Sequence, residues 1–167
     1  MATIQDRMIR AAKLDTELYE EVEADRDATG QAMAVVALSA VAAGIGLGNG
    51  GLLGIVGVTI AALVGWFVWA FLTYVIGTRL LPEPQTKADY GELLRTLGFS
   101  SAPGLIRVLG IIPGLGAFVF LVAGVWMLVA MVIAVRQALD YTSTLRAVGV
   151  CLIGWSVQAV ILVLFTQ

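Results

Sequence analysis

The chain has no histidine and only one cysteine, Cys151, in 167 residues. Without histidine there is no imidazole for acid–base catalysis and no His-ligated metal. One cysteine cannot form an intramolecular disulfide or a Cys-pair metal site. Charge is scarce too. Asp, Glu, Lys and Arg make up 13% of the residues, where a soluble domain carries about 25%. Residues 28–78, 108–135 and 147–167 contain no charge at all. Uncharged runs of that length exclude a water-soluble surface. A net charge of −2 and a pI near 5.0 give no footing for nucleic-acid binding.

What the chain has in quantity is hydrocarbon. Hydrophobic residues account for 59% of it, and the mean hydropathy is +0.93. A membrane span needs about 20 predominantly apolar residues. Read between its Gly, Pro and charged interruptions, the sequence predicts helices at about 31–48, 52–78, 99–112, 114–135 and 147–166. The expected fold is an all-α, polytopic membrane bundle of five transmembrane helices. The third is short: as an α-helix it covers roughly 21 Å of the ~30 Å hydrocarbon core. It also holds Pro103 and Arg107. Residues 1–27 form a separate polar segment, and 28–167 the membrane domain. Ile4, Met8, Ala11, Leu18 and Val22 recur at helical spacing in the polar segment. An amphipathic helix on the membrane surface, or against the protein's own cytoplasmic loops, is expected there.

Orientation follows from the positive charges. With the N-terminus inside, Arg7, Arg10, Lys13, Arg26, Arg79, Lys87, Arg95, Arg136 and Arg146 all fall on one side. Arg107 alone lies within an apolar segment. This predicts a cytoplasmic N-terminus and an outer C-terminus. Eight Arg against two Lys, with abundant Ala, Val and Gly, suits a bacterial cytoplasmic membrane.

Small residues mark packing surfaces, because helices in lipid associate through close approach. Gly57, Ala61 and Gly65 form one such ridge, with Gly50 and Gly54 beside it; Ala130, Ala134 and Ala138 form another. Internal helix packing is the favoured reading and a homo-oligomer seam the alternative. Trp66, Trp69, Trp126 and Trp155 are expected to pack or face lipid, not to form a binding box.

Several spellings suggest chemistry without its context. Gly46-x-Gly48-x-x-Gly51 matches a dinucleotide fingerprint, but that motif needs a preceding strand and an acidic residue about 20 positions on; here the flanks are apolar spans. The carboxylates of Glu17, Glu20, Glu21 and Glu23 lie on one short segment without histidine, so they read as a solvated face, not a metal site. Cys151 reads as a packing residue, with reversible acylation as the alternative. No nucleophile–base pair is apparent, and no cofactor is implied. Arg107 is the ionisable residue that calls for explanation. Snorkelling to the headgroups, pairing with Asp89, Glu92 or Asp140, lipid or partner contact, and a transport pathway are its candidate roles. Arg95, Arg136 and Arg146 join it as candidate lipid or partner contacts.

Leu97-Gly98-Phe99-Ser100-Ser101-Ala102-Pro103-Gly104-Leu105, then Gly110-Ile111-Ile112-Pro113, Val125-Trp126-Met127 and Ala134-Val135-Arg136-Gln137-Ala138-Leu139 resemble bacterial members of the Yip family. These are relatives of eukaryotic Ypt/Rab-GTPase-interacting membrane proteins. The resemblance covers roughly residues 8–165. It implies five membrane helices and a cytoplasmic N-terminus, with Gly98-Phe99 standing where many relatives have Gly-Tyr. Eukaryotic members carry an Asp-Leu-x-Gly-Pro element before the first span. This chain has Leu14-Asp15-Thr16 there, so Rab binding is not carried over.

The sequence thus predicts a non-enzymatic membrane adaptor or membrane-organising protein that meets a membrane or cytoplasmic protein partner through residues 1–27, 79–98 and 136–146. A small transporter or lipid-handling protein using a pocket near Arg107 is one alternative. An accessory structural subunit of a larger membrane complex is another.

Overall fold

The computed structural model describes residues 2–48 and 51–165. All regular structure among them is helical. The polar segment is two helices, α1 (Ile4–Ala12) and α2 (Thr16–Ala24). The Thr3 hydroxyl accepts from the Asp6 amide to start α1, and the Asp15 carboxylate accepts from the Glu17 amide to start α2. Each cap satisfies a backbone donor that a helix start leaves open. Between the helices Leu14 sits at φ 62°, a left-handed turn that ends the first helix.

Two helices thus stand where the sequence predicts one amphipathic helix, on the membrane surface or against the protein's own cytoplasmic loops. Leu18, Tyr19 and Val22 are fully buried, and α2 packs against α5 (Tyr90–Phe99) and α6 (Gly116–Ala138). The Trp126 indole donates to the Ala12 carbonyl at 2.8 Å, taking up an open acceptor at the end of α1. Gln137 donates to Glu20 at 2.7 Å. The pair therefore runs beside α6, along about 16 Å of its length between Gln137 and Trp126 at ~1.5 Å per residue.

The remaining helices are α3 (Ala28–Leu47), α4 (Gly51–Val75) and α7 (Thr144–Phe165). The spans at 28–47, 51–80 and 116–138 are long and apolar enough to cross a membrane, and Thr144–Val160 is a shorter apolar helix. Gly48, at φ 65°, ends α3 in the left-handed conformation that glycine adopts without penalty. Asn49 and Gly50 of the expected turn, and Thr166 and Gln167 at the C-terminus, lie outside the described residues. The last turn of α4 widens to a π-helix at Ile76–Leu80. There Tyr141 donates to the carbonyls of Gly77 and Leu81, and the Leu139 side chain occupies the space a Cβ on Gly77 would need.

The third apolar segment departs most from expectation. The prediction of a short α-helix at 99–112 is replaced by α5, starting at a full Asp89–Glu92 capping box, followed by a 3-10 helix at Ala102–Ile111. Laid end to end, ten α residues at ~1.5 Å and ten 3-10 residues at ~2.0 Å would measure about 35 Å. A 3-10 run of this length is uncommon, and local chemistry supports it here. Pro103 has no N–H to donate, and the Arg107 side chain takes the Gly104 carbonyl at 3.0 Å. The packing against α3 is close: a Cβ on Gly46 would come within 1.9 Å of the Arg107 carbonyl oxygen.

Candidate functional site

Two places in the molecule concentrate polar groups. The first is the end of the bundle that carries α1 and α2. Arg7 is 4% exposed. Its guanidinium donates to Glu21 at 2.9 Å, Asp25 at 2.7 Å and Gln31 at 3.0 Å. Arg10 bridges Asp15 and Glu21. Three of the seven acids between 15 and 27, Asp15, Glu21 and Asp25, thus belong to an internal clamp joining α1, α2 and α3. The Arg10 guanidinium, first among several causes, holds the carboxyls of Asp15 and Glu21 below the usual range. No cluster of acids able to hold a metal occurs among the described residues.

Arg95 belongs to this end. It is 5% exposed and donates to the Val22 carbonyl at 2.9 Å and to the Glu23 carbonyl. These are the open carbonyls at the C-terminus of α2, where a cation also suits the helix dipole. Arg95 is therefore a pin between α5 and α2, not an accessible lipid or partner contact. Glu23 sits beside it with one carboxylate oxygen buried and without a hydrogen-bond partner. Desolvation, then the neighbouring Glu92, Glu20 and Asp140, push its pKa up to about 8, against a smaller opposite effect of Arg95.

The loops close the same surface. Glu83 accepts from the Thr142 hydroxyl and amide, from Gln85 and from the Ser143 amide. These bonds, Thr142 first, hold its pKa at about 2. Arg146 donates to the Pro82 carbonyl at 2.7 Å and lies 3.5 Å from Glu83. Arg136 donates to the Tyr141 carbonyl. Segments 1–27, 79–98 and 136–146 are thereby bonded into one polar cap. Glu17, Arg26, Asp27, Arg79, Lys87 and Asp140 are exposed on it and form no ion pair among the described residues.

The second place is a cavity of about 490 Å³ among α3, α4, α5, the 3-10 helix, α6 and α7. Arg107 reaches it, half-buried. Its guanidinium donates to the Ser39 hydroxyl at 2.7 Å, the Ser39 carbonyl at 2.9 Å and the Gly104 carbonyl. Ser39 lies near the middle of α3, about 17 Å from its start at ~1.5 Å per residue. The guanidinium thus neither snorkels to the polar end nor pairs with Asp89, Glu92 or Asp140. Asp89 and Glu92 cap α5, and Asp140 is exposed. Trp66, Trp69 and Trp155 line the cavity. Trp66 is pinned to the Leu94 carbonyl at 3.0 Å, whereas the buried Trp69 N–H has no partner among the described residues. Three of the tryptophans expected to pack or face lipid thus stand on the cavity wall.

The two small-residue ridges fare differently. Ala130, Ala134 and Ala138 are fully buried. Gly57 and Ala61 are exposed, and a Cβ on Gly57 or Gly65 would meet nothing within 4 Å. Among the described residues no helix seals this ridge, and Gly65 opens onto the cavity. Cys151 is 2% exposed, which closes it to acylation in this conformation. The glycines at 46, 48 and 51 join α3 to α4 with no strand before them, so the dinucleotide spelling lacks its fold.

The family model described as the Yip1 domain matches residues 16–165. The chain belongs to the Yip family. The match starts at the first residue of α2, so the family unit includes half of the N-terminal pair as well as the membrane helices of this Yip-family protein. No curated protein and no solved structure matches the chain. Sequence reasoning singled out Arg107 as the ionisable residue of an apolar segment. It missed Ser39 and Trp69, whose roles depend on which helix faces which.

Proposed function

We propose that this Yip-family chain is a non-enzymatic membrane adaptor whose polar cap is the docking face for a protein partner. The chain crosses the membrane five times, the third passage being α5 with the 3-10 helix, and the cap faces the cytoplasm. The positive charges gather on the cap side of the apolar helices, as the positive-inside rule asks. The observation that carries the reading is the bonding of three sequence-distant segments into one surface. Arg95, Glu83, Gln85 and Gln137 are spent holding the surface together, while the exposed charges of Glu17, Asp27 and Asp140 are left outward. A rigid scaffold that presents free charges is what specific recognition uses.

The test keeps the clamp and changes the face. Glu17→Lys, Asp27→Lys and Asp140→Lys together leave every internal ion pair in place. Gentle purification from native membranes should recover the partner with the wild type and lose it with the triple variant. Recovery of the same partner with both proteins would overturn the adaptor reading.

A further inference from the structure

The cavity has a composition that the polar cap does not explain. Among the described residues Arg107 is the one charged residue on its wall and no carboxylate lines it; Ser39, Ser100, Ser101 and Gln158 are uncharged polar residues there. Arg107 has five N–H groups, of which those on Nε and Nη2 bond Gly104 and Ser39. The Nη1 group makes no hydrogen bond with the described residues. Ser39 Oγ accepts from the guanidinium and keeps its own proton to give. Trp69 adds a buried N–H without a partner.

A cation without a counter-charge in an apolar segment is costly in a membrane, and such residues mark ligand or ion pathways. The site is also built to hold the guanidinium where it is. A Cβ on Gly104 would come within 2.2 Å of Ser39 Oγ and 2.7 Å of Arg107 Nη2. Only a glycine there lets the side chain cross to α3. The rest of the wall is hydrocarbon and aromatic, including Val58, Ala62 and Met131. Val58 and Trp155 are 40% and 44% exposed, so the cavity is open on the outer, lipid-facing side of α4 and α7. A volume near 490 Å³ lies within the ~300–1,000 Å³ of ordinary ligand sites.

We infer that this cavity is a binding site for an anionic lipid: the phosphate of its headgroup sits on Arg107 and Ser39, and its acyl chain leaves past Gly65 between α4 and α7. With Nε and Nη2 committed to Gly104 and Ser39, the free Nη1 N–H groups and the Ser39 hydroxyl are left to donate to phosphate oxygens through charge-assisted bonds. The bare Gly65 gives the chain its passage. The inference does not depend on the adaptor reading, since no residue of the polar cap takes part.

The tryptophans on the wall supply the readout. The full-length protein is reconstituted in phosphatidylcholine vesicles, and lipids with brominated acyl chains are titrated in while tryptophan fluorescence is followed. Brominated phosphatidylglycerol should quench a saturable fraction at a mole fraction on the order of tenfold below that of brominated phosphatidylcholine. Arg107→Gln should remove that preference and leave only quenching by surrounding lipid. Arg107→Lys should restore part of it. Gly65→Leu, which adds bulk where a Cβ meets nothing within 4 Å, should fold normally and weaken the saturable quenching. It serves as the deciding variant if Arg107→Gln fails to fold. Equal quenching by the two lipids in the wild type would overturn the site, as would an undiminished preference in Arg107→Gln or Gly65→Leu. Reversal of the quenching by inorganic phosphate alone would reassign the site to free phosphate and overturn the lipid.

Discussion

Arg7 in the polar cap is buried and Arg107 at the cavity is half-buried, and the two are satisfied in opposite ways. Arg7 has two carboxylates and an amide within 3.0 Å, so its charge is neutralised where it stands. Arg107 has a hydroxyl and two carbonyls, which orient the guanidinium without cancelling its charge. The first arrangement completes itself and serves to dock α1 and α2. The second leaves a charge over, in the part of the molecule where charge costs most. A buried arginine is therefore read by its partners, not by its burial alone.

Removing each arginine should break the comparison in opposite directions. Arg7→Ala strands Asp25 and half of the Glu21 contacts. Because those acids are about one-third exposed, the loss should be roughly 2–3 kcal/mol, below the ~3–5 kcal/mol for a fully buried pair. Hydrogen exchange over residues 4–24 should rise sharply; unchanged protection would show that the clamp is not what docks the pair. Arg107→Met keeps the length and apolar stem and removes the uncancelled charge. Thermal unfolding in detergent should shift upward, by about 1–2 kcal/mol of stability. A loss as large as that of Arg7→Ala would make Arg107 a structural pin like Arg95.

A third test concerns acid within the cap. Glu23 has its pKa raised to about 8, so the folded state holds a proton that the unfolded chain releases near 4.5. Docking of α2 should be firmest below pH 4.5 as far as this group is concerned. It should then weaken as pH rises from about 4.5 to 8 and level off above. Glu23→Gln should remove that slope in hydrogen exchange of α2, while the same slope in the variant would assign it to Glu20, Glu92 or Asp140. Glu83 behaves with the opposite sign: its contribution is complete above about 4.5 and fades as pH falls toward 2.

Much of the framework was legible along the chain. Uncharged runs marked the apolar helices to within a few residues, because lipid tolerates few charges and a helix must be long enough to cross. Family membership could be read from short motifs such as Gly98-Phe99-Ser100-Ser101-Ala102-Pro103-Gly104. Even the α1–α2 break had a signal, since Asp15-Thr16-Glu17 spells a helix start. The ridge at Gly57, Ala61 and Gly65 was legible as a ridge only. Periodicity shows which residues share a helix face, and says nothing about whether another helix covers it.

By itself, then, the amino-acid sequence determined the helical membrane class, the uneven placement of charge and the isolation of Arg107, all properties of residues taken in order. The tertiary structure alone decided that Arg95 is spent on the end of α2, that Arg107 turns inward to Ser39, and that Gly65 borders a cavity. The physical reason is the same in each case. A side chain's energy depends on the partners that replace water around it, and the deciding ones, Val22 and Glu23 for Arg95 and Ser39 for Arg107, lie 68 or more residues away in the chain, within reach only after folding.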